Sequence, residues 1–368
     1  VSSHPSADSP RRALLCGYYG EHNLGDDALL QVLLAQLPDG WRAVVTAWDQ
    51  PQVRRSCAAW PELDTVNRRR LRSVLAALWR CDALVLGGGS LLQDTTSFAS
   101  LLYYAALILA ARARGLPVLL WGQGLGPLHR RRSRLLARLL LCVATGISWR
   151  DRDSQRWAAR WGVQALQGSD PVWGLPERPW RGAGGPILLC WRPVARLADE
   201  DWRALLTVLD QLAERSDRTV LWLPFHQDQD AELLPQLQQR GLLPEGLQHR
   251  SHRVSAADPD AAMALCQGAS LVLAMRLHGL ILAALAGSPC AALSYDPKVA
   301  SAAAALDCPC QPLGAPLAPT LLESWGSLLD HPPDPQARRQ LQQQSQVHRA
   351  LLARLGSVPA PPARGRGR

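Results

Sequence analysis

Short apolar runs alternate with amphipathic stretches twice over along this chain, and no other feature of the sequence constrains the fold as strongly. A run of four or five apolar residues suits a strand buried in a parallel sheet, and the leucine-rich stretches between the runs have helical spacing. The first series predicts strands at Ala13–Cys16, Ala43–Ala47, Ala83–Leu86, Val118–Trp121 and Gly146–Trp149. Helices are predicted between them over Ala28–Leu37, capped by Asp26 and Asp27, and over Leu71–Trp79 and Leu101–Arg112. Pro and Gly crowd into Pro176–Pro186, which reads as a linker. A second series follows, with strands at Ile187–Cys190, Thr219–Leu223, Leu271–Ala274 and Cys290–Leu293 and helices at Trp202–Glu214 and Ala261–Gln267.

The expectation is an α/β protein with two Rossmann-like domains facing a cleft. A leader covers 1–12, an N-terminal domain 13–175, the linker 176–186, a C-terminal domain 187–333, a closing helix 334–355 and a disordered tail 356–368. A length of 368 residues agrees, since one hydrophobic core does not grow that large. The longest apolar stretch, Leu101–Ala111, is cut off by Arg112 and Arg114 before it reaches the length of a membrane span. The first residues, VSSHPSADSPRR, lack the apolar run of a secretory signal, so the expected location is the cytoplasm, including the inner face of the membrane.

The nine cysteines are scattered and read as reduced core thiols. Cys308 and Cys310 lack the second ligand pair of a zinc site and the two-residue gap of a redox motif. The formal charge of +9 comes partly from Arg130, Arg131, Arg132 and Arg134 and from the tail ARGRGR. No interleaved aromatics accompany them, which favours anionic substrates and lipid headgroups over nucleic acid. Of the 40 basic residues only Lys298 is lysine, so a compact ammonium is singled out at that position.

In open parallel sheets, ligands sit beyond the carboxyl ends of the strands, so the loops there carry the functional reading. GYYGEHNLGDDALL, residues 17–30, follows the first strand; its glycine spacing does not match a dinucleotide fingerprint. Asp26 is either a helix cap or a carboxylate that orients or deprotonates a sugar hydroxyl. Asn23 and Asp27 in that loop, and Gly88, Gly89, Gln93 and Asp94 of GGGSLLQD, offer hydrogen bonds to a saccharide. Arg150, in SWRDRDS, suits a carboxylate or phosphate, or forms a structural pair with an aspartate. Arg276 and His278 end one strand of the second series and Lys298 follows the next, an arrangement that reads as an anion site containing an acid or base.

With LLWGQGLGPL, LPFHQDQD and MRLHGLILAALAGSPCAALSYDPKV, these stretches resemble the polysaccharide pyruvyl transferases, in particular their bacterial cell-wall branch. The chain departs from that family in its arginine-rich surface and in His22 of the first loop. The resemblance implies a fold similar to GT-B glycosyltransferases, with an acceptor-side first domain and a donor-side second one. It implies phosphoenolpyruvate as donor, with carboxylate and phosphate held by Arg150, Arg276 and Lys298, and a catalytic role for His278. The implied acceptor is a lipid-linked saccharide containing N-acetylmannosamine, and no cofactor or metal is implied. Two other readings stay open from the residues: a nucleotide-sugar glycosyltransferase of the same fold, and a non-catalytic protein that binds an anionic saccharide.

Overall fold

Both sheets are fully parallel, and both have the strand order that places the first strand in the middle and reverses direction beside it. The computed structural model describes residues 10–95 and 97–357, so most of the expected leader and tail lies outside the described residues. In the first sheet the order is β3-β2-β1-β4-β6-β7-β8, with β5 pairing on β6. These strands are β1 (Arg11–Tyr19), β2 (Trp41–Ala47), β3 (Asp64–Asn67), β4 (Ala83–Leu86), β5 (Gly89–Leu92), β6 (Val118–Leu125), β7 (Gly146–Trp149) and β8 (Leu166–Gln167). The second sheet runs β11-β10-β9-β12-β13-β14. Its strands are β9 (Ile187–Cys190), β10 (Val220–Trp222), β11 (Ser251–Arg253), β12 (Leu271–Ala274), β13 (Cys290–Ser294) and β14 (Cys310–Pro312).

The central strands ALVL, ILLC and LVLA are buried along their whole length because helices cover both faces of a parallel sheet. The edge strands DTVN, SHR and CQP are short and polar, and this is why the apolar-run criterion passes over them. At the reversal points, β1 lies beside β4 and β9 beside β12. The connections leave these pairs in opposite directions, opening a crevice beyond their carboxyl ends.

The chain divides into two units whose boundaries differ from the predicted ones. The first comprises Val1–Glu21, Leu29–Pro171 and Gln344–Arg368, and the second His22–Ala28 and Val172–Gln343. The stretch expected as a linker is fastened to the second unit: Arg178 N–H donates to Leu285 O at 2.9 Å and Arg181 N–H to Gln267 O at 3.0 Å. The Trp180 indole N–H donates to Ala269 O at 2.9 Å. Pro and Gly shape this path, and backbone hydrogen bonds hold it. Residues Arg11 and Arg12, expected in the leader, pair with Trp41 and Arg42 as the start of β1.

The first loop differs most from expectation. Its helix, predicted from Ala28, begins at Leu24, so Asp26 and Asp27 lie inside the first turn. Asn23 takes the position ahead of that helix, its Oδ1 accepting from Gly25 N–H at 3.0 Å. Asn23 also bridges antiparallel to His226, Leu24 N–H donates to Phe225 O at 2.9 Å, and Gln227 N–H donates to His22 O at 3.0 Å. These bonds seat residues 22–28 in the second unit although the sequence places them directly after the first strand.

The helix Pro335–Ala353 carries the chain from the second unit into the first. Near its start the Arg338 guanidinium donates to Ala284 O at 3.0 Å and pairs with Glu177 at 2.8 Å. Further along, the buried His348 contacts Ser148 Oγ at 2.8 Å through Nδ1 and Ser169 O at 2.7 Å through Nε2. Ser148 Oγ already accepts the N–H of Gly122 at 2.9 Å, so its hydroxyl hydrogen goes to Nδ1 and Nε2–H donates to Ser169. No helix among the described residues is long and apolar enough to cross a membrane.

Candidate active site

The second unit holds six of the residues that the sequence singled out: Asn23, Asp26, Asp27, Arg276, His278 and Lys298. β12 ends at Ala274, Met275 follows it, and Arg276 stands at the start of the helix Leu277–Leu285 with His278 in its first turn. The Arg276 guanidinium is held by Asp230. Its Nε donates to Asp230 Oδ2 at 3.0 Å, its Nη2 pairs with Asp230 Oδ1, and Nη2 also donates to Gln229 Oε1 at 3.1 Å. Asp230, with a side chain 0% exposed, further accepts the backbone N–H of Phe225 at 3.1 Å and of His226 at 2.9 Å. A buried carboxylate with this many donors is compensated, and a two-point bond to it fixes the plane of the guanidinium.

His278 packs against the first loop. A Cβ built on Gly25 would lie 2.0 Å from His278 Nδ1, so only glycine admits the imidazole there. One residue on, Asp26 Oδ2 accepts from the Asn23 amide at 2.7 Å. Asn23, Asp26, Arg276 and His278 therefore belong to one unit, and Asp27 is buried in the same loop.

Lys298 is exposed in the first turn of the helix Pro297–Leu306, on the strand end neighbouring that of Arg276. Its backbone N–H donates to the capping Asp296 carboxylate at 2.8 Å. Two arginines that the sequence reading passed over lie just beyond β9. Arg192 donates to the Tyr295 hydroxyl at 3.1 Å and Arg196 to Tyr295 O at 2.7 Å. Asp230, in LPFHQDQD, was likewise missed as a site residue. The available signals were two arginines within six residues of the end of ILLC and an aspartate in a strand-end loop.

The other candidates lie in the first unit. Arg150, nearly buried, pairs with Asp170 at 3.2 Å and donates to Ser90 Oγ at 3.2 Å. A Cβ on Gly124 would come within 3.1 Å of its Nε, so the glycine of GQG makes room for this arginine. The neighbouring Asp151 caps the helix Arg152–Ala159 instead of pairing with Arg150. Gly88 packs against Leu29, and a Cβ there would lie 2.5 Å from Leu29 Cδ2, whereas Gly89 has φ 112° and open space on its Cβ side. Gln93 Oε1 accepts from Thr95 N–H at 2.5 Å. Burial would raise the Asp94 carboxyl, but the backbone N–H groups of His129 and Arg130 outweigh it and hold the pKa at about 2. Those bonds, at 2.8 and 2.9 Å, tie the glycine-rich loop to the start of the helix Arg131–Val143.

The first unit also contains a pocket of about 210 Å³ that includes Tyr18, Glu21, Arg68, Arg69, Tyr103 and Tyr104. The Arg68 guanidinium lies 3.9 Å from the Tyr18 ring centroid and 2.5 Å from Glu21 Oε1, and Arg69 pairs with the other Glu21 oxygen at 3.2 Å. Ring faces beside a fixed carboxylate and guanidinium suit a polyhydroxylated ligand with apolar C–H faces.

Burial pushes Cys16 and Cys266 up to about 12, and a hydrogen bond with Cys290, together with burial, raises Cys308. No group of three or more His, Cys, Asp or Glu among the described residues is placed to hold a metal ion.

Two Rossmann-like units in one chain define the class, and solved structures agree on it. A putative UDP-N-acetylglucosamine 2-epimerase from Listeria monocytogenes superposes with TM-score 0.60 at 13% identity, covering 94% of this chain and 96% of that one. The Neisseria meningitidis UDP-GlcNAc 2-epimerase gives 0.58 at 12%, covering 94% and 100%, and Acinetobacter baumannii MurG gives 0.50 at 14%, covering 94% and 100%. At such identities the likeness is one of fold. The chain belongs to the polysaccharide pyruvyl transferase family, whose profile matches residues 23–297. No curated protein sequence matches it.

Proposed function

We propose that the protein transfers the pyruvyl group of phosphoenolpyruvate to two hydroxyls of one saccharide, releasing phosphate and leaving a cyclic ketal. The observation that carries this reading, given the family, is the pairing of a guanidinium fixed by Asp230 with an imidazole two residues further on, at the reversal point of a parallel sheet. A planar cation of fixed orientation suits the donor's carboxylate or phosphate, and Lys298 and Arg192, beyond neighbouring strands of the same unit, supply further positive charge.

In the first step His278, as imidazolium, gives a proton to C3 while the first hydroxyl oxygen bonds to C2 and loses its own proton to Asp26. The C2–O bond to phosphate then breaks, its electron pair leaving with the phosphate. The second hydroxyl closes the ketal on C2. One hydroxyl proton in effect ends on C3 and the other on the phosphate. The natural acceptor is a lipid-linked saccharide containing N-acetylmannosamine.

The test is to incubate the purified protein with phosphoenolpyruvate and a panel of saccharides, measuring phosphate release and the mass of the products. A product carrying a pyruvate ketal is expected. Release of a nucleoside diphosphate from a nucleotide sugar, with phosphoenolpyruvate inert, would replace this reading with the glycosyltransferase one. Tight saccharide binding without turnover of either donor would replace it with the binding-protein one.

A further inference from the structure

Two neighbouring helices of the first unit turn leucines toward solvent. Phe98–Ala113 and Arg131–Val143 pack on each other and bury their inner sides in one core. The Arg132 guanidinium over the Phe98 ring, 4.1 Å from its centroid, joins their starts. On the outer side Leu102, Leu109, Leu135 and Leu139 are 48, 42, 71 and 49% exposed. In the first helix Leu102, Ala106, Leu109 and Ala113 recur at spacings of four and three, so they form a single stripe. Leu135 and Leu139, four residues apart, form a second stripe alongside it. Trp79, 62% exposed, ends the adjacent helix Leu71–Leu78, with Arg114 over its ring at 4.7 Å.

The charge around these stripes has one sign. Between Asp94 and Asp151 the sequence contains eight arginines and no acidic residue. Arg112, Arg131, Arg134 and Arg138 are exposed on the two helices themselves. From Asp64 to Asp82, which spans the Trp79 helix, every charged residue between the two aspartates is arginine. A face that only had to stay in water would not place four exposed leucines together among cations. Apolar side chains flanked by arginine, with a tryptophan at the margin, match the acyl boundary and anionic headgroups of a bilayer surface.

We propose that this face, formed by the helices Phe98–Ala113 and Arg131–Val143, docks on an anionic lipid bilayer, the leucines entering the headgroup boundary and the arginines contacting lipid phosphates. The proposal is independent of the pyruvyl-transfer reading, and its test contains no donor or acceptor.

The full chain is mixed with vesicles of equal phosphatidylglycerol and phosphatidylcholine, and with vesicles of phosphatidylcholine alone, and bound protein is separated by flotation. Binding to the anionic vesicles at least tenfold stronger than to the neutral ones is expected. Leu135→Gln with Leu139→Gln should weaken it about tenfold, and Arg131→Gln with Arg138→Gln about fivefold per arginine. All four side chains are exposed, and unchanged thermal unfolding confirms that the variants are folded. Absence of vesicle binding overturns the proposal, as does binding that the leucine changes leave untouched. So does a wild-type dimer, seen by sedimentation, that the leucine changes convert to monomer, since a second copy would then be the occupant.

Discussion

Asp230 holds the Arg276 guanidinium at both of its carboxylate oxygens while accepting two backbone N–H groups of its own loop, so the orientation of a cation on one strand end is set from the loop of another. Asp230→Asn leaves the arginine without its countercharge and should cost about 3–5 kcal/mol of stability. A purely structural pair would show that loss alone. A positioning role adds a KM for phosphoenolpyruvate raised about tenfold or more, measured below the unfolding transition of the variant.

Gly25 faces the His278 ring so closely that a methyl group there must displace it. Gly25→Ala is expected to lower kcat about a hundredfold, because a shift of about 1 Å at a reacting group has that effect. The check is kcat together with the unfolding temperature. Wild-type turnover in a folded Gly25→Ala protein would show that the ring position is not used.

His278→Gln should slow transfer by about 10² to 10⁴, the usual range for loss of a proton donor, with phosphoenolpyruvate affinity within about tenfold of wild type. Calorimetric titration and phosphate release on one preparation separate the two quantities. If affinity collapses and turnover at saturation survives, the imidazole binds the donor and another group delivers the proton.

Asp26 accepts from the Asn23 amide inside the first helical turn and is not the residue that caps it. Asp26→Asn keeps an acceptor oxygen for the Asn23 amide and should leave stability within about 1 kcal/mol of wild type, while transfer falls at least tenfold. Unfolding in denaturant and a steady-state assay decide it. A destabilised variant with intact turnover would return Asp26 to a helix-start role.

Burial lowers the His348 pKa below its ordinary value, outweighing the contact with Ser169 O and the charge of Asp170, which act to raise it. The folded state thus binds the proton less readily than the unfolded chain. The stability this residue supports is complete above about pH 6.5 and declines as pH falls below that value toward the depressed folded pKa. Unfolding temperatures measured from pH 7.5 to 5.5 should fall more steeply for wild type than for His348→Gln. Parallel curves would exclude His348 as the titrating group.

The placement of Arg276 and His278 beyond the end of β12 was legible because both are fixed by local chain order: an apolar run predicts the strand, and the next residues must lie beyond its end. The same holds for β4, β7, β9 and β12, whose observed bounds match the apolar runs. The edge strands were not legible, since their residues pair without being buried on both faces and carry no apolar signature.

Asp94 reads as a ligand-binding carboxylate in sequence, and in the structure each of its oxygens accepts a backbone amide, from His129 and Arg130, 35 and 36 residues away. The Arg150 partner is Asp170 and not the adjacent Asp151, because Asp151 already caps a helix. Such choices depend on which donors the fold brings near, and spacing along the chain does not encode them.

The sequence by itself determined the two βα series, the strand ends that carry the basic residues, and the family. Tertiary structure alone decided that residues 22–28 join the second unit, that Asp230 fixes Arg276, and that the exposed sides of two leucine-rich helices lie together. The reason is physical: alternation of apolar and polar residues is a local record of burial, whereas backbone hydrogen bonds and ion pairs form between whichever groups the packed core leaves in reach.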